Sequence, residues 1–426
     1  MNRITVGFAG MTHLGLVSAA GLAGRGFDVV CYDADAALIE RLGRCDLPVS
    51  EPDLDDLVRS NGARQRFTAD IAGLGECDVV YIAPDIPTDD AGRSDTAAIT
   101  ALIERVNAVL AEKAVLVVLS QVEPGFTRRL VAPPLERRFY QVETLVFGRA
   151  VERTTKPERY IVGCADPAKP LPPAYRAVLE AFGCPILPML YESAELAKIS
   201  INFCLVASVS VANTLAEVCE AIGADWTEIA PALKLDRRIG AYSYLTPGLG
   251  ISGGNLERDL RTVLEIGGAR GTDVGLVQSW LHNSSYRKDW PFRTLHEAVL
   301  SKVDRPAIAV LGLAYKENTH STKNSPALKL LSQLQPYHVK VHDPIVPASV
   351  VPFAQGCAQA IDCLDGSDAV VLATPWPEYR SLALDAMAER MRGRVIIDPY
   401  RLLDGAKACA FGFSYYTLGR SPQSPA

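Results

Sequence analysis

The sequence lacks long continuous apolar runs, blocks of like charge and closely spaced cysteine pairs. After the N-terminal segment, the longest apolar runs are Val115–Leu119 and Ala307–Ala314, well short of the about 18 residues that span a membrane. The 43 basic and 49 acidic residues give a formal net charge of −6 without a basic stretch, which argues against a nucleic-acid-binding protein. The ten cysteines contain no C-x-x-C spacing and are too sparse for a secreted disulfide framework. We therefore expect a cytoplasmic protein with free thiols and no metal site.

What is present is ordinary globular composition, with 48% hydrophobic and 22% charged residues. At about 150 residues per domain, the 426 residues predict two to three domains, each able to bury a core without disulfides or metal. The segment Met1–Gly24 has an Arg, an apolar run and small residues, which is also typical of a signal peptide. We favour a buried strand, a glycine turn and a helix, because Asp33 stands where a dinucleotide-binding fold needs an acid.

Short apolar runs alternate with longer amphipathic stretches over roughly the first 185 residues. The predicted strands are Ile4–Ala9, Asp28–Tyr32, Asp78–Ala83, Val115–Leu119 and Tyr160–Gly163. Helices are predicted between them, for example at Asp35–Leu42 and Ala97–Glu112. This alternation is typical of an α/β fold with a parallel sheet covered by helices on both faces.

The alternation stops at Met189–Ala230, which has no proline and only one glycine, Gly223. Apolar residues recur there at helical spacing, which predicts a single helix from about Glu192 to Ile222 with Gly223 as its C-terminal cap. At 1.5 Å per residue this helix is about 46 Å long, so we expect it to bridge two domains or to pack against a partner chain. Two separate helices are the alternative.

A second, smaller α/β domain is predicted after further helices to about Trp290 and a linker at Ser301–Pro306. Its predicted strands are Ala307–Leu311, His338–His342, Ala369–Ala373 and Val395–Asp398. The last residues, Ser421–Ala426, are expected to be disordered.

A glycine turn, Gly10-Met-Thr-His-Leu-Gly15, directly follows the first predicted strand. It is similar to the dinucleotide-binding turn G-x-G-x-x-G, except that Thr12 replaces the glycine that lets the backbone approach the pyrophosphate. Asp33 ends the second strand, where a carboxylate accepts hydrogen bonds from a ribose 2′-OH and repels a 2′-phosphate. We therefore predict NAD rather than NADP; a turn without nucleotide is the alternative. The predicted cofactor-binding residues are Gly10, Thr12, His13, Leu14, Gly15 and Asp33.

Two further segments carry groups suited to catalysis. Lys198 and Asn202 are four residues apart on the long predicted helix, so they share a face and can together donate hydrogen bonds to an oxyanion. In Gly253-Gly-Asn-Leu-Glu-Arg-Asp259, the glycines let the backbone lie against a ligand, and Asp259 is a candidate base acting through a water. Taken alone, the first is more often a solvated helix face, and the second is typical of an ordinary loop with a helix cap.

The order of these and other segments resembles that of the UDP-glucose/GDP-mannose dehydrogenase family over nearly the whole chain. The similar segments, with the family motif after each, are Ser50-Glu-Pro-Asp-Leu54 (YEPGL), Ser120-Gln-Val-Glu-Pro-Gly125 (STVPPG), Ala194-Glu-Leu-Ala-Lys198 with Asn202 (AEMIKYAAN), Asp236-Arg-Arg-Ile-Gly240 (DPRIG), Gly312-Leu-Ala-Tyr-Lys316 with Ser325-Pro-Ala327 (GLAFK…RESPA), and Gly412-Phe-x-Tyr415 with Gly419-Arg420 (GFxYxxIGR). The resemblance implies two Rossmann-like, doubly wound parallel-sheet domains joined by a central helical dimer core. The implied domain bounds are 1–190 for the NAD-binding domain, 191–300 for the central helical dimerisation domain and 301–426 for the nucleotide-sugar-binding domain.

The resemblance also implies a reaction. The family oxidises a sugar C6 alcohol to a carboxylate and passes two hydrides to two NAD⁺. By resemblance, Lys198, Asn202 and Asp259 are catalytic and Lys323 contacts the cofactor. The implied contacts to a UDP- or GDP-linked sugar are Arg238, Tyr244, Gly253, Gly254 and Lys316, with Arg238 reaching the substrate of the neighbouring subunit in a homodimer.

Three departures from the family pattern concern the second oxidation. Aligned back from Asp259, the family's GGSCFPKD places Asn255 at the catalytic cysteine, and an amide cannot act as the thiolate that carries the acyl group. The glutamate of NPEFLREG, expected between about Thr144 and Gly148, is missing, and Gln121 replaces the threonine of STVPPG. Because the residues for alcohol oxidation are kept, we predict one hydride transfer that stops at a carbonyl, with Asn255 and Gln121 in the catalytic site.

The alternatives are the family's usual four-electron oxidation, a redox-neutral epimerase with tightly held NAD, and an inactive regulator that binds a nucleotide sugar. A secondary C6 alcohol that ends as a ketone explains the departures more economically than an aldehyde product, because a ketone carbon has no second hydride to give. A family member of this kind acts in the octose branch of lincosamide-antibiotic biosynthesis, which makes that pathway one hypothesis for this chain.

Overall fold

The computed structural model describes residues 3–87, 94–143 and 145–425. The chain forms two compact units, Met1–Ile201 and Asn202–Ala426, called the first and the second unit below. Each unit is built around one sheet with helices packed on it.

The first unit contains an eight-stranded sheet. Its strands are β1 Thr5–Ala9, β2 Asp28–Tyr32, β3 Gln65–Thr68, β4 Val79–Ile82, β5 Val115–Val118, β6 Arg138–Gln141, β7 Tyr160–Cys164 and β8 Ile186–Leu190. They lie in the order β3-β2-β1-β4-β5-β6-β7-β8, and neighbours are parallel except β6 and β7. Its helices are α1 His13–Gly24, α2 Ala36–Gly43, α3 Leu54–Ser60, α4 Ala97–Val109, α5 Phe126–Arg129, α6 Ala150–Thr155 and α7 Pro173–Glu180.

The predicted burial of this sheet on both faces is confirmed. In β5, Val115 and Val117 enter one core while Leu116 and Val118 enter the core on the opposite face. Side chains alternate between the two faces of a strand, so a strand covered on both faces must be apolar throughout. The turn and helix after β1 also confirm that the N-terminal apolar segment is part of the fold.

Three strands of the first unit were not predicted. β3 and β8 form the two edges of the sheet, where polar side chains and Pro188 are tolerated because one side of the strand has no hydrogen-bonding partner. β6 starts with Arg138, which is only 3% exposed and donates hydrogen bonds to the carbonyl oxygens of Thr127 and Pro133. Because this strand begins with a buried arginine, a prediction from apolar patterning misses it.

One helix, α8 Tyr191–Ile222, begins in the first unit and continues into the second. Its 32 residues confirm the prediction of a single long helix, and Gly223 follows with a φ of +81°. Among the described residues, α8 is also the one helix long and apolar enough to cross a membrane, with a mean hydropathy of 1.7 over an 18-residue window. Continuous apolar runs do not reveal this helix, because polar residues such as Ser200, Asn202 and Asn213 interrupt them. Helices that pack against other protein segments have the same composition.

The second unit contains a six-stranded sheet. Its strands are β9 Ala307–Leu311, β10 His338–His342, β11 Gln355–Gly356, β12 Ala369–Leu372, β13 Val395–Ile397 and β14 Ser414–Tyr416. Their order, β11-β10-β9-β12-β13-β14, repeats that of the first six strands of the first unit, and all pairs are parallel. The helices are α9 Trp226–Leu235, α10 Asn255–Ala269, α11 Gly275–Lys288, α12 Trp290–Leu295, α13 Pro326–Gln333, α14 Leu384–Arg390 and α15 Gly405–Ala410. The fold class is therefore α/β with two doubly wound sheets and a central helical region.

The expected disorder at the C-terminus is wrong for the residues that the structure describes. The backbone of Gln423 exchanges two hydrogen bonds with that of Tyr415, at 2.8 and 2.9 Å. The Ser421 hydroxyl donates to the carbonyl oxygen of Glu220 at 2.8 Å. Ala426 lies outside the described residues.

Candidate functional site

The turn after β1 requires glycine at both ends. Gly10 has a φ of +99°, and its N–H donates to the carbonyl oxygen of Tyr32 at 2.9 Å. A Cβ at Gly10 would lie 2.7 Å from the backbone nitrogen of Pro84, and one at Gly15 would lie 1.9 Å from the carbonyl oxygen of Gly10. The two glycines therefore let β1, β4 and α1 approach closely at the carboxyl edge of the sheet, where parallel α/β sheets bind their ligands.

The other residues of the turn surround the start of α1. Thr12 precedes the helix in an extended conformation, and its hydroxyl donates to the carbonyl oxygen of Ala83 at 3.1 Å. This bond gives the Thr12 hydroxyl a partner within the protein. Leu14 is buried, while His13 begins α1 with a half-buried ring.

His13 belongs to a cluster that sequence reasoning missed. Its Nε2 lies 2.9 Å from Oε1 of the buried Glu51, and its ring stacks on Phe147 at 4.5 Å between centroids. The Glu51 carboxylate also accepts hydrogen bonds from the backbone N–H groups of Gly148 and Ala150. Glu51 thus joins the glycine turn to the segment before α6. Its place in the YEPGL-like segment was the available signal.

Asp33 lies at the end of β2 beside the glycine turn, as predicted. One carboxylate oxygen accepts from the Met11 N–H at 2.8 Å and the other from the Asp35 N–H at 3.0 Å. A cavity of about 200 Å³ opens next to it. The cavity lining includes Gly10, Asp33, Asp85, Ile86, Asp95, Ile99 and Leu102. Apolar walls suit an adenine ring and the Asp33 carboxylate suits ribose hydroxyls, so this turn and cavity fit the adenosine half of NAD.

The candidate catalytic residues Asn202 and Asp259 are brought together in the second unit. The Asn202 side-chain N–H donates to Oδ2 of Asp259 at 2.5 Å, and Nε of Arg258 lies 3.3 Å from Oδ1 of the same carboxylate. Asp259 is 1% exposed and Arg258 is 9% exposed. Arg258 was not singled out from the sequence; its guanidinium gives the buried carboxylate of Asp259 a partner of opposite charge.

The glycine-rich loop before α10 is held by the segment around Lys323. Gly253 has a φ of +73°, and its N–H donates to the carbonyl oxygen of Lys323 at 3.1 Å. A Cβ on Gly254 would meet the Lys323 side chain at 3.3 Å. The Asn324 side chain donates to the carbonyl oxygens of Ile251 and Gly253, at 3.2 and 3.4 Å. The predicted contacts Gly253, Gly254 and Lys323 are therefore neighbours, and Asn324 is a residue that sequence reasoning missed.

Asn255 is exposed and is the first residue of α10. The position that the family resemblance assigns to the catalytic cysteine thus lies at a helix N-terminus, where backbone N–H groups and the helix dipole favour negative charge. Such a position would activate a thiol, but it gives an amide no nucleophilic form.

Several predicted residues lie outside these clusters. Arg238 has 89% of its side chain exposed and pairs with Asp236 at 2.6 Å, and Tyr244 is 51% exposed. Lys316 is half-buried beside the Tyr315 ring. Gln121 follows β5 and Lys198 lies in α8, both half-buried in the first unit.

The expectation that the glutamate of NPEFLREG is missing must be corrected, because a glutamate lies one residue before the expected range. Thr144, the first residue of the range in which this glutamate was expected, lies outside the described residues. Aligned on Gly148 without a gap, the first glutamate of NPEFLREG falls on Glu143, two residues after β6. Glu143 lines a small cavity of about 40 Å³ with Ser18, Tyr81 and Gln141. Burial, and then the charge of Glu143, raises the pKa of Tyr81. A carboxylate is therefore present at this position of the motif.

Three family models match the chain in order. They are those of the UDP-glucose/GDP-mannose dehydrogenase family, with the NAD binding domain at residues 3–181, the central domain at 192–284 and the UDP binding domain at 309–405. The glycine turn and Asp33 lie within the first match, and Asn202 and Asp259 lie within the second.

Characterised relatives match over almost their whole length. UDP-glucose 6-dehydrogenase TuaD of Bacillus subtilis is 30% identical over 99% of this chain and 94% of its own. UDP-glucose 6-dehydrogenase of Pseudomonas aeruginosa is 29% identical over 96% of both chains. The solved UDP-glucose dehydrogenase of Pyrobaculum islandicum is 27% identical, with a TM-score of 0.82 over 93% of this chain and 94% of that one.

Proposed function

Since this chain belongs to the UDP-glucose/GDP-mannose dehydrogenase family and is an NAD-dependent oxidoreductase acting on a CH–OH group of a nucleotide sugar, we propose that it performs a single oxidation at C6 and releases a carbonyl product. The product would be a 6-keto or 6-aldehydo sugar in place of a uronic acid. Such a product would differ from the carboxylate that the family resemblance implies.

The observation that carries the proposal is Asn255 at the cysteine position. The second oxidation needs a nucleophile that adds to the aldehyde, and the amide nitrogen of Asn255 has no available lone pair. The segment from Ile251 to Asp259 contains no cysteine that could substitute for it.

The retained residues supply what a single oxidation needs. NAD⁺, when bound, accepts the hydride from C6. Asp259, through a water, takes the hydroxyl proton as the C=O bond forms, and Arg258 and Asn202 hold its carboxylate in place. Lys198 and Asn202 donate hydrogen bonds to the oxygen on which negative charge develops.

A secondary alcohol at C6 is the favoured substrate class. Its ketone product has no second hydride to give, so neither a thiol nor an acyl-hydrolysis step is required. A primary alcohol that stops at the aldehyde is the other form of the same proposal. The 6-keto octose of lincosamide-antibiotic biosynthesis is a specific substrate hypothesis within the first class.

Glu143 favours a second candidate, the four-electron oxidation. If it assists hydrolysis as the family's glutamate does, one of the groups for the second step is retained. The nucleophile for that step would then have to be water, because Asn255 cannot form a thioester.

A panel of UDP- and GDP-linked sugars separates these candidates. Each sugar is incubated with NAD⁺, NADH is followed by absorbance, and the product is identified by mass spectrometry. A product with two hydrogens fewer than its substrate supports the proposal, and a uronic acid contradicts it. Product formation without net NADH would indicate the epimerase, and binding without turnover of any sugar would indicate the regulator.

A further inference from the structure

Glu195 is a fully buried carboxylate that the proposed reaction does not use. It lies in the first part of α8, one helical turn before Lys198, and its side chain is 0% exposed. Burying a carboxylate is costly unless it is hydrogen-bonded, so the partners of Glu195 indicate what it stabilises.

Its partners are two backbone N–H groups of the segment that follows β5. Gly125 N–H donates to Oε2 at 2.5 Å, and Thr127 N–H donates to Oε1 at 2.9 Å. Gly125 has a φ of +91°, so the chain turns sharply there into α5. Both carboxylate oxygens are used, one for each N–H group.

The other end of the same segment is fixed to the sheet. The Ser120 N–H donates to the carbonyl oxygen of Ile82 at 3.1 Å, and its hydroxyl donates to that of Pro84 at 2.5 Å. Gln121 is the next residue, so only the four residues 121–124 lie between the sheet and the Glu195 contact. Their conformation is therefore set at both ends.

We infer that Glu195 is a positioning residue for the alcohol oxidation, because it holds residues 121–124 in a fixed register against the turn of α8 that carries Lys198. This inference rests on the proposed function, in which Gln121 and Lys198 belong to the catalytic site. A glutamine at this place offers one acceptor oxygen, and its NH₂ group would face a backbone N–H. The carboxylate is thus specifically required, although burial raises the pKa of Glu195.

The test compares Glu195→Gln with Glu192→Gln. Glu192 lies in the same helix, but its side chain is 42% exposed and pairs with Arg128 at the surface, so its loss should have little effect. We expect Glu195→Gln to lower kcat by about 10- to 100-fold, the scale for misplaced catalytic groups. KM and the affinity for ADP-ribose should stay within about 3-fold of the parent, because the adenosine site is built from other segments.

Two readouts separate positioning from a loss of stability. With substrate deuterated at C6, the isotope effect on kcat should increase in Glu195→Gln, because hydride transfer becomes slower than the other steps. Hydrogen exchange of residues 120–127 should also accelerate in this variant and not in Glu192→Gln. Unchanged kcat and isotope effect in Glu195→Gln would overturn the inference.

The failure of the proposed function gives a different result. If the parent protein makes a uronic acid, the single oxidation fails, but kcat and the isotope effect still test Glu195. If the parent protein oxidises none of the nucleotide sugars, hydrogen exchange becomes the deciding readout for Glu195. Unchanged exchange at Gly125 and Thr127 would then contradict the anchoring itself.

Discussion

At the residue scale, we propose that the Asp33 carboxylate selects the cofactor as well as holding a turn. Its two oxygens accept hydrogen bonds from the backbone N–H groups of Met11 and Asp35, and it borders the cavity proposed for adenosine together with Asp85 and Asp95. A 2′-phosphate placed there would face negative charge, whereas ribose hydroxyls can donate to the free lone pairs of the carboxylate.

We therefore expect calorimetry to give a lower Kd for NAD⁺ than for NADP⁺. Asp33→Asn should weaken NAD⁺ binding. It should also narrow the difference between the Kd values of NAD⁺ and NADP⁺, because the charge that repels the 2′-phosphate is lost. Asp35→Asn is the control, since Asp35 caps α2 and asparagine caps a helix equally well. Tighter binding of NADP⁺ by the parent protein would contradict the role of Asp33.

Lys198 is the residue expected to contribute most to the oxidation. Removal of one oxyanion donor typically costs about 2.7–4 kcal/mol of barrier, or a rate factor of about 10²–10³. Lys198→Ala should lower kcat by that factor and leave NAD⁺ binding unchanged, whereas Asn255→Ala should cost much less. The exposed Lys113 provides a control substitution, Lys113→Ala. If the Lys198→Ala variant kept the kcat of the parent, the role of Lys198 as an oxyanion donor would be contradicted.

At the element scale, apolar patterning predicted the elements that are covered on both sides. Strands β1, β2, β4 and β5 were found because a strand covered on both faces must be apolar throughout. The helix α8 was found from the helical spacing of its apolar residues and its lack of proline. The edge strands β3 and β8 do not follow the rule for covered strands, and β6 was hidden by Arg138, whose guanidinium donates to carbonyl groups of the segment just before it, at Thr127 and Pro133. No sequence pattern indicates that a particular arginine will find such partners.

The N-terminus of α9 gives a prediction about pH. Burial alone raises the pKa of Asp225. Hydrogen bonds from Arg401 and Thr227 outweigh burial and lower this pKa to about 2, against an ordinary value of 3.8. A lowered folded-state pKa contributes stability that is complete above the unfolded value and is lost as the pH falls through the folded value. Asp225 should therefore contribute about 1–2 kcal/mol at pH 7, after allowance for solvent screening.

Asp225→Asn, which keeps a capping side chain, tests this contribution by urea unfolding. The variant should be less stable than the parent at pH 7, and the difference should shrink as the pH falls from about 4 to 2. Asp236→Asn is the control, because Asp236 pairs only with the exposed Arg238. A stability difference that does not change with pH would show that the ion pair is not its cause.

At the scale of the whole molecule, the candidate site was predicted in parts. Asp33, the glycine turn and the pair Asn202–Asp259 followed from spacing and resemblance, because motifs keep their order along the chain. Glu51 and Asn324 were missed because their contacts join segments that are far apart in sequence. Arg258 adjoins Asp259 in the sequence, and it was missed because the pattern gave no sign that this arginine is buried. The cytoplasmic location and the division at 1–190, 191–300 and 301–426 stay predictions.

The exposed side of α8 supports the proposed homodimer. Val211, Leu215 and Val218 are 52%, 43% and 45% exposed, and a groove of about 660 Å³ beside Val211 and Leu215 is lined also by Leu276 and Trp280. A second copy packing there would cover these side chains. It would also allow Arg238 to reach the substrate of its neighbour, as the family resemblance implies.

We expect light scattering to give the mass of a dimer at micromolar concentration. Val211→Asp should shift the protein toward the monomer, because the carboxylate would be buried without a partner. The control is Val131→Asp, since Val131 is 98% exposed on the first unit. If the parent protein is monomeric at this concentration, both the homodimer and the role of Arg238 across the subunit interface are contradicted.

The number of NADH molecules formed per molecule of nucleotide sugar tests the central claim most directly. The substrate found in the panel is converted to completion with excess NAD⁺, and NADH is measured by absorbance against the amount of sugar consumed. Because Asn255 cannot carry an acyl group, we predict one NADH per sugar and a carbonyl product. Two NADH per sugar, with a uronic acid as the product, would contradict the single oxidation.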